Sequence, residues 1–265
     1  MSKNTKIIRI VTILSFILMV VANALANILP INGLNTGEVS DNFSNLFAPA
    51  GITFSIWGVI YIALGIYTAY QLYALKNNKV DQNFLNDIGI YFSISSVANT
   101  LWIFSWHYLY TAISLLLMLL ILGCLIKINA MIQKKSLDQK ISKVIRIPFS
   151  LYFGWITIAT IANVTAFLVS INWNGFGIPE YIWTIMILLI GLMIGSLTAY
   201  KNKDLFYTLV LIWAYSGILI KHIQKSGFNG QFISIIATVI FCLLVLMYLE
   251  YKIYTKYFQK NRAFK

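Results

Sequence analysis

The sequence predicts an all-α protein, a polytopic transmembrane helix bundle of about eight spans. Three observations predict it. Hydrophobic residues make up 59% of the 265 and charged residues 11%, with a mean hydropathy of +0.78, whereas soluble domains are roughly 25% charged. Apolar runs of about 20 residues, the length that crosses a ~30 Å hydrocarbon layer as helix, recur along the whole chain. The basic residues behind the net charge of +12 stand in the gaps between these runs, on no single segment with a binding motif, and nucleic acid is therefore excluded as a partner.

The runs fall at about 7–29, 50–75, 88–106, 109–131, 148–171, 181–200, 205–222 and 231–253. The first has a basic start and "ANALA" at Ala22–Ala26, features shared with cleavable signal peptides. Its length, together with Asn23 and Asn27 one turn apart, favours a packed helix. A long polar loop, "PINGLNTGEVSDNFSNLFAP", follows. The second run opens at Pro49 and carries Ala50, Phe54, Trp57, Tyr61 and Gly65 at helical spacing, which makes one stripe. Counted from Pro49, Trp57 lies about 12 Å and Tyr61 about 18 Å into the layer. That is deeper than an interfacial aromatic belt, and a phenol there needs a partner.

The third run, "SISSVANTLWIFSWHY", puts Ser95, Asn99, Trp102 and Trp106 on one face. The short "HYLY" at His107–Tyr110 reads as a helical hairpin turn. The fourth run, "TAISLLLMLLILGCLIKINAMI", is aliphatic all round and is expected to face lipid. The fifth, "PFSLYFGWITIATIANVTAF", aligns Tyr152, Trp155, Ala159 and Asn163. The last three runs are rich in Ile and Leu and carry Trp183, Tyr200, Trp213 and Tyr215. No internal repeat argues for an inverted-repeat transporter.

Lysine and arginine distribution predicts the orientation. With the N-terminus cytoplasmic, the inside segments take Lys3, Lys6 and Arg9, then Lys76 and Lys79, then Lys127, Lys134, Lys135, Lys140, Lys143 and Arg146. They also take Lys201 and Lys203, and a tail with Lys252, Lys256, Lys260, Arg262 and Lys265. Only Lys221 and Lys225 fall outside. Both termini are thus expected in the cytoplasm. The high Lys-to-Arg ratio and abundant Ile and Asn suggest an AT-rich bacterial source, and so the cell membrane.

Several chemistries are missing. None of the eight acidic residues lies near a span centre, which argues against an ion-coupled pump. There is no phosphate-binding loop, zinc-helix motif, Cys/His cluster or nucleophile elbow. No metal, cofactor or catalytic residue is expected, and the chain does not read as an enzyme. Cys124 and Cys242 read as small buried hydrophobes. His107 and His222 read as interfacial residues. What remains is a set of Trp, Tyr and Asn residues converging from four helices. These suit either interhelical hydrogen bonding or an aromatic-lined cavity for a flat, apolar ligand.

At these residues the chain resembles the TspO/MBR family, the tryptophan-rich sensory proteins related to the mitochondrial translocator protein. The resemblance rests on Pro49, Gly51, Phe54, Trp57 and Tyr61 in the second run, Asn99 and Trp102 in the third, and Trp155, Ala159 and Asn163 in the fifth. It covers about 170 residues in the right order. It implies a five-helix core over residues 1–175 whose cavity binds porphyrins, cholesterol or benzodiazepine-like drugs, under a lid formed by the loop between the first two helices. By carry-over the ligand-site residues are Phe54, Trp57, Tyr61, Asn99, Trp102, Trp155, Ala159 and Asn163. The implied partners are the lipid bilayer, a hydrophobic small molecule such as porphyrin or haem, and a second copy of the chain in a homodimer.

Two departures stand out. Pro148 lies seven residues before Trp155, where the family usually has four. Residues 176–265 add three spans and a basic tail beyond the usual five. Leu249, Tyr251 and Lys256 fit the loose sterol pattern, but no basic residue follows Asn163, so cholesterol is the least supported ligand. The functional expectation is a receptor, sensor or carrier for a tetrapyrrole-like molecule. The alternative is a small-solute transporter or permease component, and a third reading is a regulator of another membrane protein.

Overall fold

The computed structural model describes residues 3–76 and 81–262. Among the described residues there are nine α-helices and no strand: α1 (Lys3–Ile28), α2 (Thr36–Asn42), α3 (Ile56–Lys76), α4 (Gln82–His107), α5 (Thr111–Lys134), α6 (Gln139–Ser170), α7 (Glu180–Asn202), α8 (Leu205–Ile223) and α9 (Ile233–Arg262). All but α2 are long and apolar enough to cross a membrane. The protein is a multi-pass membrane protein, with eight candidate spans among the described residues.

α4 and α6 start ahead of their apolar runs on capped polar first turns, whereas α3 starts only at Ile56, after a 3-10 helix at Gly51–Ser55. Asp81 accepts from the Asn83 N–H and starts α4 six residues before the apolar run; Asp138 does the same for α6 through the Lys140 N–H. An N-cap carboxylate satisfies donors that the first turn leaves free. Lys135 Nζ, 2.9 Å from Asp81 Oδ2, holds that carboxyl below the ordinary range. Pro148 consequently sits inside α6 instead of opening it. It leaves the Val144 carbonyl without its helical donor.

α4 packs between α1 and α5, and α5 packs on α6. On its other side α6 takes α3 and α8, while α7 and α8 pack on α9. The α6–α8 contact is made at Gly154: a Cβ there would stand 2.9 Å from Val210 Cβ and 3.0 Å from the Tyr207 carbonyl oxygen. Only glycine lets the two backbones approach so closely.

The packing corrects two expectations, on α5 and Arg9, and adds to a third, since the two histidines at span ends are buried there. α5 does not face lipid all round: Met118, Ile121, Leu125 and Ile128 are buried against α4 and α6, and only the face of Leu116, Leu119 and Leu120 is open. Aliphatic residues serve both surfaces, so composition cannot separate them. His107 and His222 are fully buried, each donating to a backbone carbonyl, Ile103 O at 2.8 Å and Leu46 O at 2.9 Å. Arg9, counted above with the loop cations, lies inside α1 and is 1% exposed. Among the other cations in that count, Lys79 and Lys265 lie outside the described residues, as do the side chains of Lys3, Lys76, Lys256, Lys260 and Arg262.

Candidate ligand site: an aromatic cluster under a helical lid

The loop after α1 folds into a lid. Asn35 accepts from the Gly37 and Glu38 N–H groups while the Glu38 carboxylate accepts from the Asn35 N–H, a capping box that starts α2. The lid is tied down on the α4 side. Trp106 Nε1 donates to Thr36 O at 3.3 Å and Asn32 Nδ2 to His107 O at 3.1 Å. After α2 the chain passes over to α7 and α8, where five contacts hold it. The Leu46 N–H donates to Glu180 Oε1 (3.0 Å), His222 Nε2 donates to Leu46 O, and Lys221 Nζ pairs with Asp41 Oδ1 (2.8 Å). The Ala50 N–H donates to Gly217 O (3.0 Å) and Trp213 Nε1 to Thr53 O (2.9 Å). α7 and α8 therefore anchor the segment leading from the lid into α3.

Below the lid the predicted rings meet. Trp57 stacks on Tyr61 with centroids 5.3 Å apart, and stands 6.2 Å from Trp102, 5.9 Å from Tyr152 and 6.1 Å from Trp155. Phe54 meets Trp155 edge-on at 5.9 Å. Trp102 stacks on Trp106 at 6.0 Å, and Trp106 meets Phe43 of the lid at 5.5 Å. Such contacts contribute about 0.5–1.5 kcal/mol each beyond the area they bury.

The polar residues divide into two sets. Asn99 is fully engaged: it accepts from Asn23 Nδ2 at 2.8 Å and donates to Tyr152 OH at 3.1 Å. Asn163 accepts from Trp102 Nε1 (3.2 Å) and Ser114 Oγ (2.6 Å) and donates to Ala159 O (3.0 Å). These amides join α1, α4, α5 and α6, which is the interhelical hydrogen bonding that the sequence left as one of two readings. The second set has no such partners. Trp57 Nε1, Trp155 Nε1 and Tyr61 OH are buried donors with no hydrogen bond among the described residues.

The rings fill most of the space between them. What remains beside Phe54, Trp57, Trp102, Trp155, Ala159 and Asn163 is about 30 Å³, room for a water molecule or two. A larger groove of about 360 Å³ opens next to it between α1 and α3, under α2, reaching Asn23, Asn27, Phe54, Trp57 and Tyr61. Seven of the eight predicted site residues thus line one or other space. Asn99 does not, and supports them through Tyr152. Tyr152 and Trp106 lay on the predicted faces without being singled out as ligand residues, while Phe43 carried no periodic signal.

Removing one of the satisfied amides should cost stability. Asn163→Leu leaves Trp102 Nε1 and Ser114 Oγ without their acceptor, and each orphaned buried group costs about 1–3 kcal/mol, toward the low end within a membrane. The variant is expected to unfold at a lower temperature than wild type in detergent, followed by intrinsic fluorescence. Ser114→Ala, which removes a donor and leaves Asn163 paired with Trp102, should lose less. Equal melting of all three proteins would show that the amide does not hold the helices.

Fold and site together define a polytopic helical membrane protein with a Trp-rich, lid-covered cluster. The sequence pattern of the TSPO-like protein family matches residues 9–249, and the chain belongs to that family. The match runs from α1 into α9. Among curated proteins and among solved structures no match is found.

Proposed function

We propose that the protein is a membrane receptor, sensor or carrier that binds a hydrophobic, planar, tetrapyrrole-like molecule against the Trp57 cluster. The observation that carries this reading is the trio of unpartnered donors, Trp57 Nε1, Trp155 Nε1 and Tyr61 OH: Trp57 borders both the small inner space and the α1–α3 groove, Tyr61 the groove and Trp155 the inner space. Buried donors without acceptors are costly in a membrane interior. A flat ligand with acceptors at its edge would satisfy them while stacking on the rings. The groove has the volume of small-molecule sites, ~300–1,000 Å³, and the inner space does not; a ligand is therefore read as lying in the groove and displacing rings inward. The proposal is one of binding, with no catalytic residue assigned, in the cell membrane with both termini cytoplasmic.

Four of the seven tryptophans, Trp57, Trp102, Trp106 and Trp155, lie in the cluster. A porphyrin bound there should quench most of the intrinsic fluorescence. A titration of the purified protein in detergent is expected to be saturable, with affinity reduced roughly five- to tenfold in Tyr61→Phe and Trp57→Phe, the loss of about one hydrogen bond. Leu116→Ala, on the open face of α5, should match wild type. Equal quenching of all four proteins would mean that porphyrin only partitions into the micelle.

A further inference from the structure

We infer that the groove between α5, α6 and α7, at the lysine-rich end of the bundle, binds one anionic phospholipid. The groove holds about 460 Å³. α5 and α7 flank it and meet at their ends, where Gln133 Nε2 donates to Asn202 O at 3.2 Å. Below that bridge the walls are Leu122, Ile126, Phe153 and Ile194. Ile126 and Ile194 are 51% and 43% exposed, so the groove opens sideways at the level of the hydrocarbon. An acyl chain is the occupant that such a slot meets.

Polar groups stand along the groove in the order that a glycerophospholipid requires. At its rim are Lys134 and Lys201, which make no ion pair among the described residues. The neighbouring Lys135 is engaged with Asp81. Five residues deeper along α5, about 7.5 Å, comes Asn129. It is 5% exposed and lines the groove, and its side chain makes no hydrogen bond among the described residues. An amide left without a partner in hydrocarbon is costly, and here its NH2 group is free to donate to an ester carbonyl lying below a phosphate held by the lysines. Leu122 is twelve residues from Lys134, about 18 Å, close to the depth of one leaflet of a ~30 Å core. Phosphate, ester and chain thus each find a group of matching chemistry.

The carboxylate near this rim is turned away from it. Asp204 is 3% exposed, accepts from Ser150 Oγ at 2.5 Å, and caps α8 through the Tyr207 N–H. Burial pushes its carboxyl above the ordinary range. The net charge at the rim is positive, which selects an anionic head group over a zwitterionic one.

Native mass spectrometry of the full chain in detergent tests the assignment, with phosphatidylglycerol and phosphatidylcholine titrated separately. Wild type should retain one phosphatidylglycerol in preference to phosphatidylcholine. The preference should fall roughly tenfold in the double variant Lys134→Gln/Lys201→Gln, whose exposed sites leave the fold intact. Lys140→Gln/Lys143→Gln, the same charge change outside the groove, should leave it unchanged. Asn129→Leu should weaken both lipids alike, since both carry the ester. Equal loss of preference in the two lysine pairs would assign the effect to general surface charge and overturn the site. So would the absence of any preference in wild type. Displacement of the lipid by millimolar glycerol 3-phosphate would reduce it to a simple anion site and overturn the phospholipid assignment.

Discussion

Gly217→Val is expected to detach residues 50–53 from α8 and expose the segment that leads from the lid into α3. A Cβ at Gly217 would lie 2.0 Å from Thr53 Oγ1 and 2.8 Å from Thr53 Cβ. Rotating the threonine cannot relieve the second contact, so the backbone must part. Parting removes the Ala50 N–H to Gly217 O hydrogen bond and strains the Trp213 bond to Thr53 O. Overpacking of this kind costs about 1–3 kcal/mol or more, here charged to the closed state of one loop. Opening should therefore become roughly tenfold more frequent, since about 1.4 kcal/mol is a factor of ten. Both native cysteines are buried, so a maleimide reports on a single introduced thiol. At Ala48→Cys, a site 5% exposed, labelling should be slow in the otherwise native chain and about ten times faster with Gly217→Val. Trp213→Phe, which loses one hydrogen bond, should raise it only a few-fold. Identical rates in the three proteins would show that α8 does not hold the loop.

That result would also give α7 and α8 a role. Glu180, Lys221 and His222 come from the ends of α7 and α8, and all reach the stretch between Asp41 and Leu46. Nothing in their sequence spacing announces this. Helical periodicity shows which residues share a face of one helix, which is why Trp57 and Tyr61, and Asn99 with Trp102 and Trp106, were legible. It cannot show which face meets which across 50 to 180 positions of chain. The pairing of Asn99 with Asn23 and Tyr152, and of Asn163 with Trp102 and Ser114, therefore had to come from packing. The same limit explains the size of the site: a stripe of rings looks alike whether it lines a cavity or fills one. The short lid helix is a different case. Its signal, Asn35 followed three residues later by Glu38, was present in the loop and is local enough to be read directly.

Arg9→Ala is expected to destabilise the protein more than any other single change on α1. The guanidinium is 1% exposed and joins three helices: Nη1 donates to Gln71 Oε1 (3.1 Å) on α3 and to Leu85 O (2.9 Å) on α4, and Nη2 donates to Gln82 Oε1 (3.3 Å). No carboxylate pairs with it among the described residues. Two effects oppose each other. Burying the cation costs several kcal/mol, so removing it returns some free energy. Against this, hydrogen bonds from a charged donor contribute about 1.5–3 kcal/mol each, and there are three. Truncating a long buried side chain to alanine adds a cavity cost of about 2–5 kcal/mol. The bonds and the cavity together outweigh the desolvation that is relieved, and Arg9→Ala should lower the thermal midpoint strongly. Arg9→Met separates the terms, because it fills the volume without donating. Gln71 and Gln82 keep their own bonds to Tyr67 OH and Ala74 O once the guanidinium is gone, and Leu85 O is a helix carbonyl with a backbone donor of its own. Methionine should therefore cost much less than alanine, with a midpoint between wild type and Arg9→Ala. A methionine variant as unstable as alanine would assign the whole effect to the three hydrogen bonds. One as stable as wild type would show that the charge contributes nothing net, and that packing alone holds α1 against α3 and α4 at this end of the bundle.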